Sequence, residues 1–326
     1  MEAAWALLDS FKTSYATWAI VFAIVTVFEL LNPRENHPIR SRLVGIGYWL
    51  ILTFASVVVA QLTSRLWPAL GVRPLLSAVE LPGVLGGAVG VAILGSLLGA
   101  TVHDFFFYWY HRIQHRWLWR WHAVHHSVNN LNAATSYHHI SEALVSVFLL
   151  QLPATLLPPQ IGPTLPLLNF ILWCHIVWIH SPTKVTLGPL RAFFIDNRFH
   201  RIHHSLEERH FDKNFGAFTT LWDRVFKTAY FPAKDEWPEV GLAEVAEPKN
   251  LRDWPPSQDG FLSPRRSRHR SSSQLPKPPR PEGRPILTCA SRIIVVEPVA
   301  DDHPKFPSGW FTSTCAPPVH LVSWCM

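Results

Sequence analysis

Cysteine in any paired arrangement is missing from this chain. Its four cysteines, Cys174, Cys289, Cys315 and Cys325, form no C-x-x-C pair, and Cys174 falls inside an apolar run. A disulfide framework and a thiolate zinc site are both excluded as organising principles. The acidic residues that metal chemistry often uses are also scarce where they would matter. No Glu-x-x-His pair falls on the clustered His-x-x-x-His and His-x-x-His-His motifs, so a bundle with carboxylate-ligated metals is not indicated. No H-E-x-x-H occurs either, which removes the zinc-protease signature. The net charge of +6 is not a nucleic-acid signature, because ten of the 29 Lys and Arg lie from Arg252 onward and others flank apolar runs. No nucleic-acid partner is expected. The opening MEAAWALLDSFK lacks a basic n-region, so no cleavable signal is expected.

What the chain has instead is apolar length. Residues 14–31 and 43–62 are long apolar runs separated by a loop with Arg34, Arg40 and Arg42. Residues 83–98 form a Gly-rich third run that continues without a breaker into a His-rich stretch. Each is long enough, or nearly so, to cross a bilayer. The arginine loop is expected on the cytoplasmic side, so the third run should emerge there too. Residues 142–157 and 165–179 are shorter, separated by LPPQIGPT, and are expected to form a hairpin that returns to its starting side. The polar, aromatic stretch after His180 reads as a cytoplasmic helical cap. From residue 239 the chain turns rich in Pro, Arg and Ser, with 13 of its 28 prolines from Pro255 onward, and reads as a disordered tail. The expected fold is all-α: a multi-pass membrane helical bundle whose cap carries a histidine-rich metal centre. The expected division is 1–82 membrane spans, 83–238 catalytic domain and 239–326 tail.

Fourteen of the 18 histidines lie between residues 103 and 210. His111 and His115 are spaced i, i+4, and His122, His125 and His126 are spaced i, i+3, i+4. The second spacing recurs at His200, His203 and His204. On helices these spacings put imidazoles on one face, and imidazole suits iron, zinc and copper. These eight are expected metal ligands. His139 and His180 sit where they would complete the shell, while His138 is expected to face away or to support a ligand. His103 and His175 fall off the ligand faces, and His210 reads as a solvated loop residue. His269, His303 and His320 lie in the tail and are expected to be inert.

The isolated acids Asp104, Glu142, Asp196, Asp212 and Asp223 are expected to accept hydrogen bonds from ring N–H groups, with Glu142, Asp212 and Asp223 foremost. Trp117, Trp119 and Trp121 read as an interfacial belt. Arg112, Arg116 and Arg120 are expected to reach phospholipid headgroups.

In the order His-x-x-x-His, His-x-x-His-His and a late His-x-x-His-His on a multi-span chain, residues 83–232 resemble the fatty acid hydroxylase/sterol desaturase superfamily. HHSVNNLNAATSYHHISE and FHRIHHSLEERHFDKNFGAFTTLWDRVFKT carry the resemblance. It implies a non-haem di-iron oxygenase that hydroxylates or desaturates a sterol or fatty acyl lipid, in lipid biosynthesis, with all ten histidines as iron ligands. Zinc could substitute for iron in such a donor set. Lys227 stands where the family often has Gly. The sequence contains no flavin or haem motif, so electrons would come from a separate donor of the cytochrome b5 or ferredoxin type. The lipid substrate would enter from the bilayer.

Two other classes remain open. A zinc-dependent membrane hydrolase would need a general base that the sequence does not offer. A divalent-metal transporter would carry polar residues near the midplane of several spans, whereas the histidines here sit at one end.

Overall fold

Three long helices dominate the computed structural model, which describes residues 2–73, 87–156, 165–243 and 247–250. They are α1 (Glu2–Leu31), α2 (Ile39–Ala69) and α3 (Gly87–Trp117). Each is long and apolar enough to cross a membrane, and only 17, 33 and 28% of their apolar windows are buried within the protein. Ile20, Ile24 and Val27 of α1 and Leu43, Leu50 and Phe54 of α2 face outward, as lipid-facing surface requires. At 1.5 Å per residue α3 is about 46 Å long against a hydrocarbon core of about 30 Å. One end of α3 must therefore project, and its last turns carry His111 and His115. α2 stops where Gly71 adopts φ 72 and donates its N–H to the Pro68 carbonyl at 3.0 Å.

α4 (Trp119–His126) turns back from the end of α3 after Leu118. The shorter apolar stretches become α5 (Ser141–Ser146), a π-helical turn (Val147–Gln151), α6 (Leu152–Leu156) and α7 (Pro166–Trp178). Pro153 lacks the N–H that would bond the Leu149 carbonyl, which fits the widened turn just before it. The expected hairpin returns to its starting side, because His138 before α5 and His180 after α7 both pack against His125. Its tip lies outside the described residues. Leu165 N donates to Ser96 Oγ at 3.0 Å, fifteen residues before His111 on α3. The returning arm thus starts about 22 Å along α3 from the histidines.

The cap is built from α8 (Asn197–His203), α9 (Leu221–Val225) and 3-10 turns at Gly188–Ala192 and Glu208–His210. Asp196 caps α8 by accepting the Phe199 N–H at 2.9 Å. Among the described residues there are no strands, only isolated bridges at Pro33–Thr183, Phe194–Thr219 and Ser205–Val240.

The core sits where the spans meet the cap. One cluster joins Tyr48 of α2 with Val124, Val128, Leu131, Tyr137 and Val240; another joins Val21 and Val25 of α1 with Ala133 and Val177. Val240 belongs to the stretch expected to begin the tail. Glu247 accepts from Asn130, and Tyr48 donates to the Asn250 carbonyl at 3.2 Å. Val240, Glu247 and Asn250 thus contact the packed body from beyond the expected boundary at 238, and Val240 does so because it finds an apolar seat on Tyr48 and Tyr137. The rest of the expected tail, 251–326, lies outside the described residues.

Candidate metal centre

The i, i+4 pair His111 and His115 projects from the end of α3, and α4 folds back so that its own i, i+4 pair, His122 and His126, meets them. His203 of α8 joins these four, and all five side chains are buried, with one ligand atom from each within 4.8 Å of the others. A second group of four buried histidines forms beside it from His125, His180, His200 and His204. In each His-x-x-His-His triplet the outer i, i+4 pair stays together, and the middle member crosses to the other group. His125 leaves His122 and His126; His203 leaves His200 and His204.

Ring tautomers follow from the hydrogen bonds. A backbone carbonyl can only accept, so an imidazole nitrogen bonded to one must carry the proton. His111 Nδ1 meets Phe215 O at 2.7 Å, His203 Nδ1 meets Lys213 O at 2.8 Å, His125 Nδ1 meets Tyr137 O at 3.1 Å and His180 Nδ1 meets Ile176 O at 3.1 Å. In the neutral rings this leaves the Nε2 lone pairs bare. Yet the Nε2 atoms approach one another: His111 to His122 at 3.0 Å, His115 to His126 at 3.1 Å, His180 to His200 at 3.0 Å and His204 to His200 at 3.2 Å. His203 Nε2 is buried with no hydrogen-bond partner.

In the His111–His122 pair both Nδ1 atoms are committed, that of His122 to Glu142 at 3.3 Å, so two lone pairs converge and repel unless a cation lies between them. Two nitrogens at about 2.1 Å from one ion are about 3.0 Å apart at a right angle and about 3.4 Å apart at the tetrahedral angle. The observed separations of 3.0–3.2 Å fall in that interval. The donor set therefore fits metal ions. Burial pushes the His180 and His203 pKa values down to about 3, and burial with the neighbouring rings holds His125, His126, His200 and His204 well below the usual range. The neutral form that a metal needs is the form the fold favours.

Glu142 meets histidine rings of the site. Its carboxylate lies 3.3 Å from His122 Nδ1 and 2.9 Å from His138 Nδ1, and it accepts from Gln114 at 2.5 Å. Asp223 takes backbone amides instead, accepting from Phe215 N and Gly216 N at 2.9 Å each, and thus holds the loop whose carbonyl orients His111. Asp104 does the same for Ala217, Phe218 and Thr219. Asp212 adopts φ 59 in the turn that presents the Lys213 carbonyl to His203. The Asp223 and Asp104 carboxylates thus act on the site through the 215–219 backbone and not by contact with a ring.

His139, expected as a ligand, lies outside both groups, and its Nδ1 is 2.7 Å from Ser141 Oγ. Its neighbour His138 turns inward instead and stacks on His125 with ring centroids 4.1 Å apart. Adjacent residues before a helix point different ways, so only one of the two can face the site. His210 is not solvated: it is 1% exposed, with Nδ1 on Ser205 Oγ at 2.8 Å and Nε2 on Glu236 at 3.1 Å. Trp119 is buried against His115 and His126 at 5.1 and 5.2 Å, so it walls the site, while Trp117 is 71% exposed.

Sequence reasoning missed the carbonyls of Phe215, Lys213 and Tyr137, since every residue carries one. It also missed the ion pairs Glu29–Arg42 at 2.5 Å, which joins α1 to α2, and Glu35–Arg201 at 2.8 Å, which joins the α1–α2 loop to α8. Their one visible trace was charge at the ends of apolar runs.

Residues 96–228 match the fatty acid hydroxylase family. The chain is 30% identical over 142 residues to an alkylglycerol monooxygenase of Homo sapiens, covering 43% of this chain and 31% of that protein. It is 32% identical over 161 residues to the Danio rerio alkylglycerol monooxygenase, covering 48% and 34%. It is 31% identical over 170 residues to an ornithine lipid hydroxylase of Rhizobium tropici, covering 47% and 49%. The chain thus spans a third to a half of the length of these relatives. No solved structure matches it significantly.

Proposed function

From a chain whose residues 96–228 match the fatty acid hydroxylase family, we propose a membrane-bound oxidoreductase that hydroxylates a lipid with O2 and electrons from outside. The observation that carries this reading is the pair of buried histidine groups, five and four residues strong, whose Nε2 atoms converge at 3.0–3.2 Å. The names of the relatives, an alkylglycerol monooxygenase and an ornithine lipid hydroxylase, favour hydroxylation over desaturation and a polar-headed membrane lipid as substrate.

His111, His115, His122, His126 and His203 would hold one ion, and His125, His180, His200 and His204 a second. Iron bound there would supply the oxygen activation that acid–base side chains cannot bring to an unactivated C–H bond. The protein's own contribution is orientation and exclusion of water. The carbonyls of Phe215, Lys213, Tyr137 and Ile176 fix the tautomers of four rings, and Glu142 fixes that of His122. Trp119 and Phe215, packed on the rings at 5.0–5.2 Å, keep that flank apolar. His138, stacked on His125 and paired with Glu142, supports both groups. Lipid would reach the site laterally along α3 and the α5–α7 hairpin, with the histidines on the cytoplasmic side set by the 34–42 arginines. Electrons would come from a separate cytochrome b5 or ferredoxin-type protein.

The test is anaerobic purification followed by metal analysis, then incubation with membrane lipids, O2 and a reductase chain. Two irons per chain and a lipid product heavier by one oxygen atom are expected. A single zinc with hydrolysed lipid would overturn the reading.

A further inference from the structure

The two histidine groups are braced by different parts of the chain. The five-histidine group is held from within residues 96–228. His111 and His203 donate to the 213–215 carbonyls, His122 meets Glu142, and the 213–219 loop is pinned by Asp223 and Asp104. The four-histidine group leans outward on segments beyond that stretch.

His125 donates to the Tyr137 carbonyl, and the Tyr137 ring stacks on Tyr48 of α2 at 4.4 Å and 22°. The segment just after His180 is laced to the α1–α2 loop, where Arg34 N donates to Pro182 O at 2.7 Å and Lys184 N to Asn32 O at 2.9 Å. α8, which carries His200 and His204, is gripped at Arg201. Its guanidinium makes two hydrogen bonds to Glu35, at 2.8 and 3.1 Å, and Arg201 Nε donates to Pro238 O at 2.8 Å. Trp237 Nε1 donates to the same Glu35 at 2.7 Å, and its ring takes the Arg201 and Arg34 guanidiniums at 4.2 and 4.3 Å. Arg201 is buried, so this is a built contact and not a surface ion pair.

We propose that Glu35, acting through Arg201 and Trp237, is a positioning residue for the four-histidine group, and that the α1–α2 hairpin thereby sets whether the second ion is retained. The inference rests on the two-ion reading above. Its logic is a count of ligands. Loosening α8 disturbs one of five ligands in the first group, His203, but two of four in the second, and the same loop also holds the segment behind His180. Losing such outer support costs a metal site about 10–100-fold in affinity, and here that loss should fall on one ion only.

The full chain in detergent, loaded anaerobically with Fe2+ and freed of excess, tests this by iron per chain and by the time course of removal with a chelator. Wild type should hold two ions. Glu35→Gln and Trp237→Phe should each fall towards one, with a fast chelation phase for the second ion and an unchanged slow phase for the first. Asp223→Asn, which loosens the 213–219 loop, should weaken the other ion. If Glu35→Gln does not fold, Trp237→Phe decides alone, since it keeps an aromatic face beside Arg201 and Arg34 and removes the bond to Glu35. Two ions with wild-type chelation in these variants would overturn the clamp, as would parallel loss of both. A wild-type chain holding one ion would sink the two-ion reading itself, and this inference with it.

Discussion

His126 and His204 stack face to face, ring centroids 4.6 Å apart and planes 24° from parallel, although one belongs to the five-histidine group and the other to the four-histidine group. Each is the last residue of its own His-x-x-His-His triplet. The two triplets are thus in contact along a shared wall, although each group is braced by a different part of the chain. Crossing of the middle residues, His125 and His203, locks the wall from both sides.

His203 is the first point to test. Its Nε2 is buried and has no hydrogen-bond partner, while Nδ1 is committed to Lys213 O at 2.8 Å. His203→Ala should lower bound iron and abolish oxygen consumption in the presence of lipid and an electron donor. His269→Ala, outside the described residues, should match wild type on both measures. Full iron and turnover in His203→Ala would remove the ligand assignment at its best-supported position.

Gly45 should tolerate no side chain. A Cβ there would run into the backbone carbonyl of Ala134, in the turn that leads to Tyr137 and His138. Backbone cannot swing aside as a side chain can. Gly45→Ala should cost about 1–3 kcal/mol by overpacking, read as a lower midpoint of thermal unfolding in detergent.

Lys227 presents the opposite case. It adopts φ 59, a left-handed conformation that costs a Cβ-bearing residue energy and a glycine little. Lys227→Gly should stabilise the protein by about 0.5 kcal/mol, the steric gain being partly offset by the greater freedom of Gly when unfolded. A lower unfolding midpoint in this variant would contradict the geometry.

The Glu35 clamp gives a pH signature. Burial raises the Glu35 pKa, but His37, Arg201 and Trp237 outweigh it and bring it down to about 2 from an ordinary value of 4.5. A carboxylate with a depressed folded pKa contributes stability that is fully present above its unfolded pKa. That contribution is lost as pH falls from about 4.5 towards 2. The stability difference between wild type and Glu35→Gln should therefore be constant above about pH 5.5 and shrink below 4.5. A difference that does not change with pH would show that Glu35 is not the charged partner of Arg201.

Truncation locates the end of the packed body. A stop after Asn250 should preserve expression and metal content, because the Pro-rich and Arg-rich composition beyond it offers no core. A stop after Pro238 removes Val240 from the cluster on Tyr48 and Tyr137, and removes Glu247 from Asn130. It should lower the unfolding midpoint and reduce yield. Equal behaviour of the two truncations would place the boundary where composition alone suggested it.

The histidine spacing was legible because it is local. Residues three and four apart on a helix share a face whatever the rest of the chain does, so His111 and His115, or His200 and His204, declare themselves without a fold. The apolar runs are legible for a similar reason, since a bilayer demands length and little else. His138 and His139 were not separable, because adjacent residues in a loop take their directions from what they pack against. His210 was misread as solvated because its burial depends on Ser205 and on Glu236, 26 residues away.

A helical membrane protein with a metal-binding set of histidines at one end of its spans is readable from the residues alone, since periodicity, run length and ligand type are properties of neighbours. How those histidines divide into five and four, which carbonyls set their tautomers and which charges brace them came from the fold. Those outcomes depend on pairs such as His111 with Phe215, 104 residues apart, and Arg201 with Glu35, 166 residues apart. Contacts of that range form only when separate helices are brought together, and the energy that fixes them comes from burial and hydrogen bonding that no local pattern records.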